Sequence, residues 1–208
     1  MVSRTPSTAV VLTFDACGGP NGSGYDEALI STVRRHQVPA TLFLNSRWIT
    51  ANPGLAAELA ADPLLEVANH GVRHVPLSVD GRAAYGIAGT ANVGEIYDEL
   101  AGGVAWFTTQ IGHGPRWFRP GTAHTDDIGA AIALDLGQPV AGFSVNGDAG
   151  ATFTAGQVAQ TLSGVRPGDV VISHFNQPGR GTAAGYATAL PQLLERGVTF
   201  ASLTGAMS

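Results

Sequence analysis

Short apolar runs alternate with longer helix-like segments along the whole chain. Several runs are continuously apolar and rich in β-branched or aromatic residues, as in strands that are buried on both faces. They predict strands at residues 9–15, 40–45, 65–69, 116–119, 140–146, 169–174 and 198–203. The intervening segments predict helices at about 25–36, 54–61, 92–111, 125–136, 155–163 and 183–196. This alternation favours an α/β fold with a parallel sheet, either open or closed into a barrel.

Length and composition narrow the class of protein. The 208 residues contain no repeat, long linker or low-complexity block, so we expect a single domain spanning 1–208. The chain is 44% hydrophobic with a formal net charge of −5, and it has no Lys/Arg cluster, so we expect neither a nucleic-acid nor a membrane partner. All 11 basic residues are arginine, which excludes a Schiff-base or phosphate-loop lysine.

The location of the protein is less constrained. The first ten residues lack the apolar core of a signal peptide, and no apolar run approaches the length of a membrane span. We therefore expect a soluble protein that is either cytoplasmic or secreted with its signal removed. Nothing in the sequence determines its oligomeric state.

Polar residues stand at the predicted carboxyl ends of five strands. They are Asp15, Asn69 with His70, Arg119, Asn146 with Asp148, and His174. In a parallel barrel these strand ends meet at one face, where active sites are built. We expect the five groups to converge on one site.

Two histidines four residues apart, His70 and His74, suggest a metal site. On a helical turn this spacing places both imidazoles on one face, although the preceding strand and Pro76 favour a turn that lines a pocket. Zinc in a catalytic site usually takes three protein ligands and a water. Asp15 is the natural third ligand, or alternatively the base that takes a proton from that water.

The remaining polar groups suggest acid–base chemistry. His174 is a candidate general acid for a leaving amine, and Asp148 is placed to orient it and raise its pKa. Arg119 is placed to hold Asp15 ionised. The single cysteine, Cys17, is more simply explained as a small core or loop thiol than as a nucleophile.

Five stretches carry a resemblance to a known family. In order, TFDACGG, NHGVRH, FRPGTA, FSVNGD and VISH resemble the five motifs of the polysaccharide deacetylases, the NodB-homology enzymes of carbohydrate esterase family 4. The resemblance covers about residues 8–205. It implies a distorted (β/α)7 barrel and metal-dependent removal of an N-acetyl, sometimes O-acetyl, group from a sugar. The metal it implies is zinc, with cobalt, manganese or nickel as alternatives.

The resemblance also implies roles for individual residues. Asp15 matches the catalytic base and Arg119 the arginine that tethers it. His70 and His74 match the metal histidines, and His174 matches the catalytic acid. A backbone N–H near Thr122 matches the donor to the oxyanion, and Asn146 and Asp148 fall in the fourth motif.

Several positions depart from the family pattern. Ala16 replaces the metal-binding aspartate, so Asp15 binds the metal directly, a water fills the gap, or the metal is weak or absent. The third motif lacks its aromatic residue, and the fourth begins with Asn146, lacks its tryptophan and accommodates Asp148 only with a one-residue shift. A glycine-rich insertion at about 80–92 is placed to cover the site.

Other functions fit the sequence less well or stay open beside this one. The glycines after the first strand do not follow a nucleotide-binding spacing, and Ser144 lacks the final glycine of a serine-hydrolase elbow. Two alternatives stay open, an amidase acting on a small non-carbohydrate amide or cyclic imide and a non-catalytic carbohydrate-binding relic. The expected partner is an acetylated carbohydrate or a small amide substrate.

Overall fold

A computed structural model describes all residues from Met1 to Ser208. The strands are β1 Val10–Ala16, β2 Ala40–Leu44, β3 Leu65–Asn69, β4 Val145–Asn146, β5 Val170–His174 and β6 Phe200–Ala201. The helices are α1 Glu27–Arg35, α2 Ser46–Ala51, α3 Pro53–Ala61, α4 Val93–Ala101, α5 Val104–Ile111, α6 Asp127–Asp135, α7 Ala155–Ser163, α8 Gly181–Glu195 and α9 Leu203–Met207. None of these helices is long and apolar enough to cross a membrane.

All strand pairs are parallel, and together they form a distorted (β/α)7 barrel. The sheet order is β3-β2-β1-β5-β4, with β6 paired to the start of β1. Single bridges from Asn69 to Phe118 and from Phe118 to Val140 extend the sheet beyond β3. The Ser144 N–H then donates to the Val170 carbonyl at 2.9 Å, which returns the chain to β5 and closes the ring.

Three predicted strands and one predicted helix are wrong in extent. The strand at 198–203 is reduced to Phe200–Ala201, and α9 begins at Leu203. The strand at 116–119 is reduced to the bridge at Phe118, and that at 140–146 to isolated bridges and the short β4. The helix at 92–111 is two helices, α4 and α5, separated by Gly102 and Gly103. A Cβ at either glycine would lie 2.8 Å from a neighbouring atom, so tight packing interrupts the helix here. The short helices α2 and α9 were not predicted.

Strand β1 separates two environments. Val10, Leu12, Phe14 and Ala16 alternate into the large core between the sheet and the helices. Thr13 and Asp15 face the opposite way and are buried inside the barrel. This period of two is the ordinary geometry of a strand. The register then aligns Asp15 with His174 on β5 and Leu44 with Asn69 on β3, so the carboxyl ends of these strands meet.

A tight glycine turn follows β1. Gly18 has a φ of 67°, and its N–H donates to the Gly22 carbonyl at 3.0 Å. A Cβ on Gly18 would lie 2.6 Å from the backbone nitrogen of Trp48. The turn therefore requires both the left-handed backbone and the absence of a side chain.

We expect Gly18→Ala to lower the free energy of unfolding by about 1–3 kcal/mol, the usual cost of such backbone strain. Urea denaturation measures the change. Gly54→Ala is the matched control, since Gly54 lies in α3 with nothing within 4 Å of an added Cβ and has no positive φ. Equal urea midpoints for the two variants would contradict this account of the turn.

Candidate active site

A cavity of about 380 Å³ opens at the carboxyl ends of the barrel strands. Six of the predicted site residues line it: Asp15, His70, His74, Thr122, Asn146 and His174. The other two, Arg119 and Asp148, are fully buried and contact Asp15 and His174 respectively. The eight residues come from distant parts of the chain, and the barrel brings them together.

Arg119 and Asp15 form a buried ion pair at the base of the cavity. The Arg119 Nη1 donates to Asp15 Oδ1 at 2.7 Å and to Thr13 Oγ1 at 2.8 Å. Burial would raise the pKa of Asp15, but the charges of Arg119, His70 and His174 outweigh it and hold the pKa below its usual value. Asp15 is therefore a carboxylate. No hydrogen bond within the chain engages its second oxygen, Oδ2.

The two histidines lie on an irregular turn rather than on a helix. Gly71 and His74 both have positive φ, and the His70 and His74 rings meet edge to face with centroids 4.8 Å apart. The His70 Nδ1 lies 2.8 Å from the Arg119 carbonyl oxygen, which can only accept, so this nitrogen carries the proton. The His70 Nε2 lies 3.7 Å from Asp15 Oδ2 and carries a free lone pair only when the ring is neutral. Burial would lower the pKa of His70, but the charge of Asp15 and the contact with Cys17 raise it above its usual value.

A buried carboxylate from α4 holds this turn. Glu99 is 1% exposed, and its oxygens accept the backbone N–H groups of Val72, Arg73 and His74 at 2.9–3.1 Å. Three consecutive amides therefore point at one acid and fix the backbone that carries His74. Sequence reasoning missed Glu99, since an acid on an amphipathic helix is usually solvent-exposed and nothing in the chain marks this one as buried.

Cys17 lies beside the histidines. Its Sγ is 3.8 Å from His70 Nε2, and the donor atoms of Cys17, His70 and His74 all lie within 4.8 Å of one another. Burial would raise the pKa of the thiol, but hydrogen bonds with His174, His70 and His74 bring it well below its usual value. Two imidazoles and a thiolate are a donor set that zinc favours, so these residues fit a divalent metal. Side chains alternate between the two faces of β1, and if that alternation continues one residue past Ala16, Cys17 falls on the same face as Asp15. That alternation was the sequence signal for Cys17 at the site.

His174 and Asp148 form a second pair across the cavity. The His174 Nδ1 lies 2.9 Å from Asp148 Oδ1, while the His174 backbone N–H and the Thr182 hydroxyl donate to Oδ2 at 2.7 and 3.0 Å. Burial would lower the pKa of His174, but the hydrogen bond and charge of Asp148 and the contact with Cys17 raise it well above its usual value. The shift favours the protonated form of His174.

Three further predicted residues differ in whether they reach the cavity. Thr122 lies in a 3₁₀ turn, Gly121–Ala123, and its buried hydroxyl has no hydrogen-bond partner. The Asn146 Oδ1 accepts the Ala149 N–H at 2.9 Å and so shapes the fourth-motif loop. Asn69 does not join the site, because its side-chain amide donates to the Leu100 carbonyl and to Gln138.

The segment at 80–92 contributes to the rim of the cavity. Tyr85 and Ile87 line it, and Tyr85 stacks edge to face on His124 with ring centroids 5.2 Å apart. The Tyr85 side chain is 83% exposed. An exposed aromatic ring therefore stands beside a cavity whose third motif lacks one.

Relatives of known identity share this fold. The peptidoglycan N-acetylglucosamine deacetylase PgdA of Listeria monocytogenes is 26% identical over 195 residues, which is 93% of this chain and 38% of PgdA. The chain spans about half or less of the length of the curated relatives it matches. The structure of the peptidoglycan N-acetylglucosamine deacetylase Bc1960 matches with a TM-score of 0.80 at 20% identity, covering 99% of this chain and 91% of the other.

A non-catalytic protein is equally similar in fold. A carbohydrate esterase family 4 pseudoenzyme from Bacillus anthracis matches with a TM-score of 0.79 at 23% identity, covering 99% of this chain and 68% of the other. The family model for polysaccharide deacetylases matches residues 3–141, about two thirds of the sequence. The chain therefore belongs to the polysaccharide deacetylase family.

Proposed function

We propose that this chain is a metal-dependent hydrolase that removes N-acetyl groups from an amino sugar within a carbohydrate. The observation that carries the proposal is the pairing at one cavity of a buried Asp15–Arg119 pair with a His174–Asp148 pair. Hydrolysis of an amide requires a base for the attacking water and an acid for the departing amine, and the two pairs supply one of each.

The base side of the site is Asp15. Arg119 fixes one carboxylate oxygen and stabilises the ionised form, so the free Oδ2 is available to take a proton from water. A divalent ion held by His70 and His74 would polarise the acetyl carbonyl and acidify that water. Zinc is the ion that such ligands favour most. The Thr122 turn lies at the same cavity, and we place there the backbone donor to the carbonyl oxygen.

The acid side of the site is His174. Asp148 holds its Nδ1, which leaves Nε2 as the position from which a proton can pass to the leaving nitrogen. Water adds to the carbonyl carbon, the carbon–nitrogen bond breaks, and the amine departs with the His174 proton while acetate remains. The raised pKa keeps His174 protonated until the step at which its proton is needed.

A second candidate function is a carbohydrate-binding protein without catalysis. Ala16 stands at the position that matches the metal-binding aspartate, and a structural neighbour is a pseudoenzyme. The retained Asp15–Arg119 and His174–Asp148 pairs favour hydrolysis, because binding alone requires neither a base nor an acid. A third candidate, an amidase for small amides, is distinguished by substrate.

The first experiment is acetate release from N-acetylglucosamine oligomers by the zinc-loaded protein, with small amides and cyclic imides assayed in parallel. We expect acetate and free amines from the oligomers. Oligomer binding without acetate release would favour the non-catalytic candidate, and turnover of small amides alone would favour the amidase.

We expect His174→Ala to lower kcat about 10²–10⁴-fold, the usual contribution of a general acid. The measurement is steady-state kinetics on the best oligomer. His113→Ala is the control, because His113 is an exposed histidine away from the cavity. An unchanged kcat in His174→Ala would refute the acid role.

Asp148→Asn is expected to shift the alkaline limb of the pH profile of kcat to lower pH. Since Asp148 raises the pKa of His174, its loss lets His174 lose its proton at lower pH, and activity falls with it. Asp127→Asn, on the exposed start of α6, is the control and should leave the limb unmoved. An identical alkaline limb in Asp148→Asn would show that Asp148 does not tune the acid.

A further inference from the structure

We propose that Cys17 is the third metal ligand, so that the ion is held by one thiolate and two imidazoles. This inference rests on the proposed function in taking the cavity to be the metal site. The family resemblance implies an aspartate at position 16, where this chain has alanine. A cysteine ligand from the next position supplies what Ala16 lacks.

The spacing of the donor atoms supports a three-ligand site. The Cys17 Sγ and His70 Nε2 are 3.8 Å apart, and all three donor atoms fall within 4.8 Å of one another. In a tetrahedral zinc site, bond lengths of about 2.3 Å to sulfur and 2.0–2.1 Å to nitrogen separate neighbouring donors by about 3.3–3.6 Å. The cluster therefore needs only small side-chain movements to close on an ion.

The path of the backbone explains why residue 17, and not residue 16, faces the site. Ala16 is fully buried among the core residues between sheet and helices, and it does not line the cavity. Cys17 is next in the alternation and lies on the cavity wall with Asp15. Cys17 directly follows β1, and the left-handed turn at Gly18 comes next, so Cys17 is the last residue before that turn to line the site.

The neighbouring groups prepare both histidines for this role. The Arg119 carbonyl holds the proton of His70 on Nδ1 and leaves Nε2 free, as outer-shell partners do in metal sites. The Glu99 carboxylate fixes the backbone N–H of His74 at 2.9 Å.

A thiolate ligand also gives Asp15 and Cys17 separate tasks. Asp15 Oδ1 is engaged by Arg119, and Oδ2 is the one oxygen left for proton transfer. If Cys17 completes the ligand set, Asp15 need not bind the ion and remains a free base. The softer sulfur donor further predicts a preference for zinc and cobalt over manganese and magnesium, which favour oxygen ligands.

The test is the electronic absorption spectrum of the cobalt(II)-loaded protein after chelator treatment. Cys17 is the single cysteine of the chain, so a thiolate-to-cobalt charge-transfer band in the near ultraviolet belongs to it alone. We expect this band in the wild-type protein at one cobalt per chain, and its displacement by one equivalent of zinc. Cobalt binding without the band would overturn the proposal, and so would no binding of cobalt or zinc.

The second measurement is the zinc affinity of Cys17 variants. We expect Cys17→Ser to lose the band and to weaken zinc binding by calorimetry more than about 100-fold, since losing even an outer-shell partner costs 10–100-fold. We expect Cys17→Asp to bind zinc without the band and to bind manganese better than the wild type does. His113→Ala is the control and should match the wild type. Unchanged zinc affinity in Cys17→Ser would contradict the proposal.

The outcome separates this inference from the proposed function. A cobalt–thiolate band without acetate release would support the ligand and refute deacetylation. Acetate release from a protein whose cobalt spectrum lacks the band would support deacetylation and refute Cys17 as a ligand. The Cys17 ligand and the deacetylase activity can therefore be refuted independently of each other.

Discussion

The Arg119 guanidinium is the interaction on which the rest of the site depends. It is fully buried, and it donates to Asp15, to Thr13 and to the carbonyls of Ala141 and Gly142. The guanidinium carbon, Cζ, also lies 4.2 Å from the centre of the Phe43 ring. A buried charge is tolerated when its hydrogen bonds are satisfied. Here the partners lie on β1 and on the separate segment of Ala141 and Gly142. The Arg119 side chain therefore links the Asp15 carboxylate to a second segment of the barrel.

The backbone of Arg119 also contacts the segment that carries His70. Its carbonyl accepts from His70, and its N–H donates to the Asn69 carbonyl at 2.9 Å. The orientation of His70 and the ionisation of Asp15 thus depend on one short segment after the bridge at Phe118.

Membership of the family does not by itself decide catalysis. A pseudoenzyme shares this fold as closely as a deacetylase does. In this chain the Asp15–Arg119 and His174–Asp148 pairs are both present, while Ala16 and the third and fourth motifs depart from the family pattern. Ala16 and Cys17 must therefore be considered together, since the strand turns only one of them toward the cavity.

The sequence predicted the fold class and the convergence of its polar residues well. The strands whose apolar runs are buried on both faces, such as β1 and β5, appear within a residue or two of their predicted limits. The segments at 116–119 and 140–146 were overestimated, because pairing partners rather than local pattern decide whether an extended segment forms a ladder. The break at Gly102 and Gly103 was missed for a similar reason, as it reflects packing against Val72 and Ser46.

By itself, the sequence determined an α/β fold with a parallel sheet, open or closed, and placed Asp15, the two histidines and His174 at the carboxyl ends of its strands, since strand alternation and strand ends are local properties. The tertiary structure decided which groups touch. It showed that Glu99 clamps the histidine turn, that Asn69 points away from the site, and that Cys17 approaches the two histidines. These contacts join residues far apart in the chain, so their distances follow from barrel closure and side-chain packing, which no local pattern encodes.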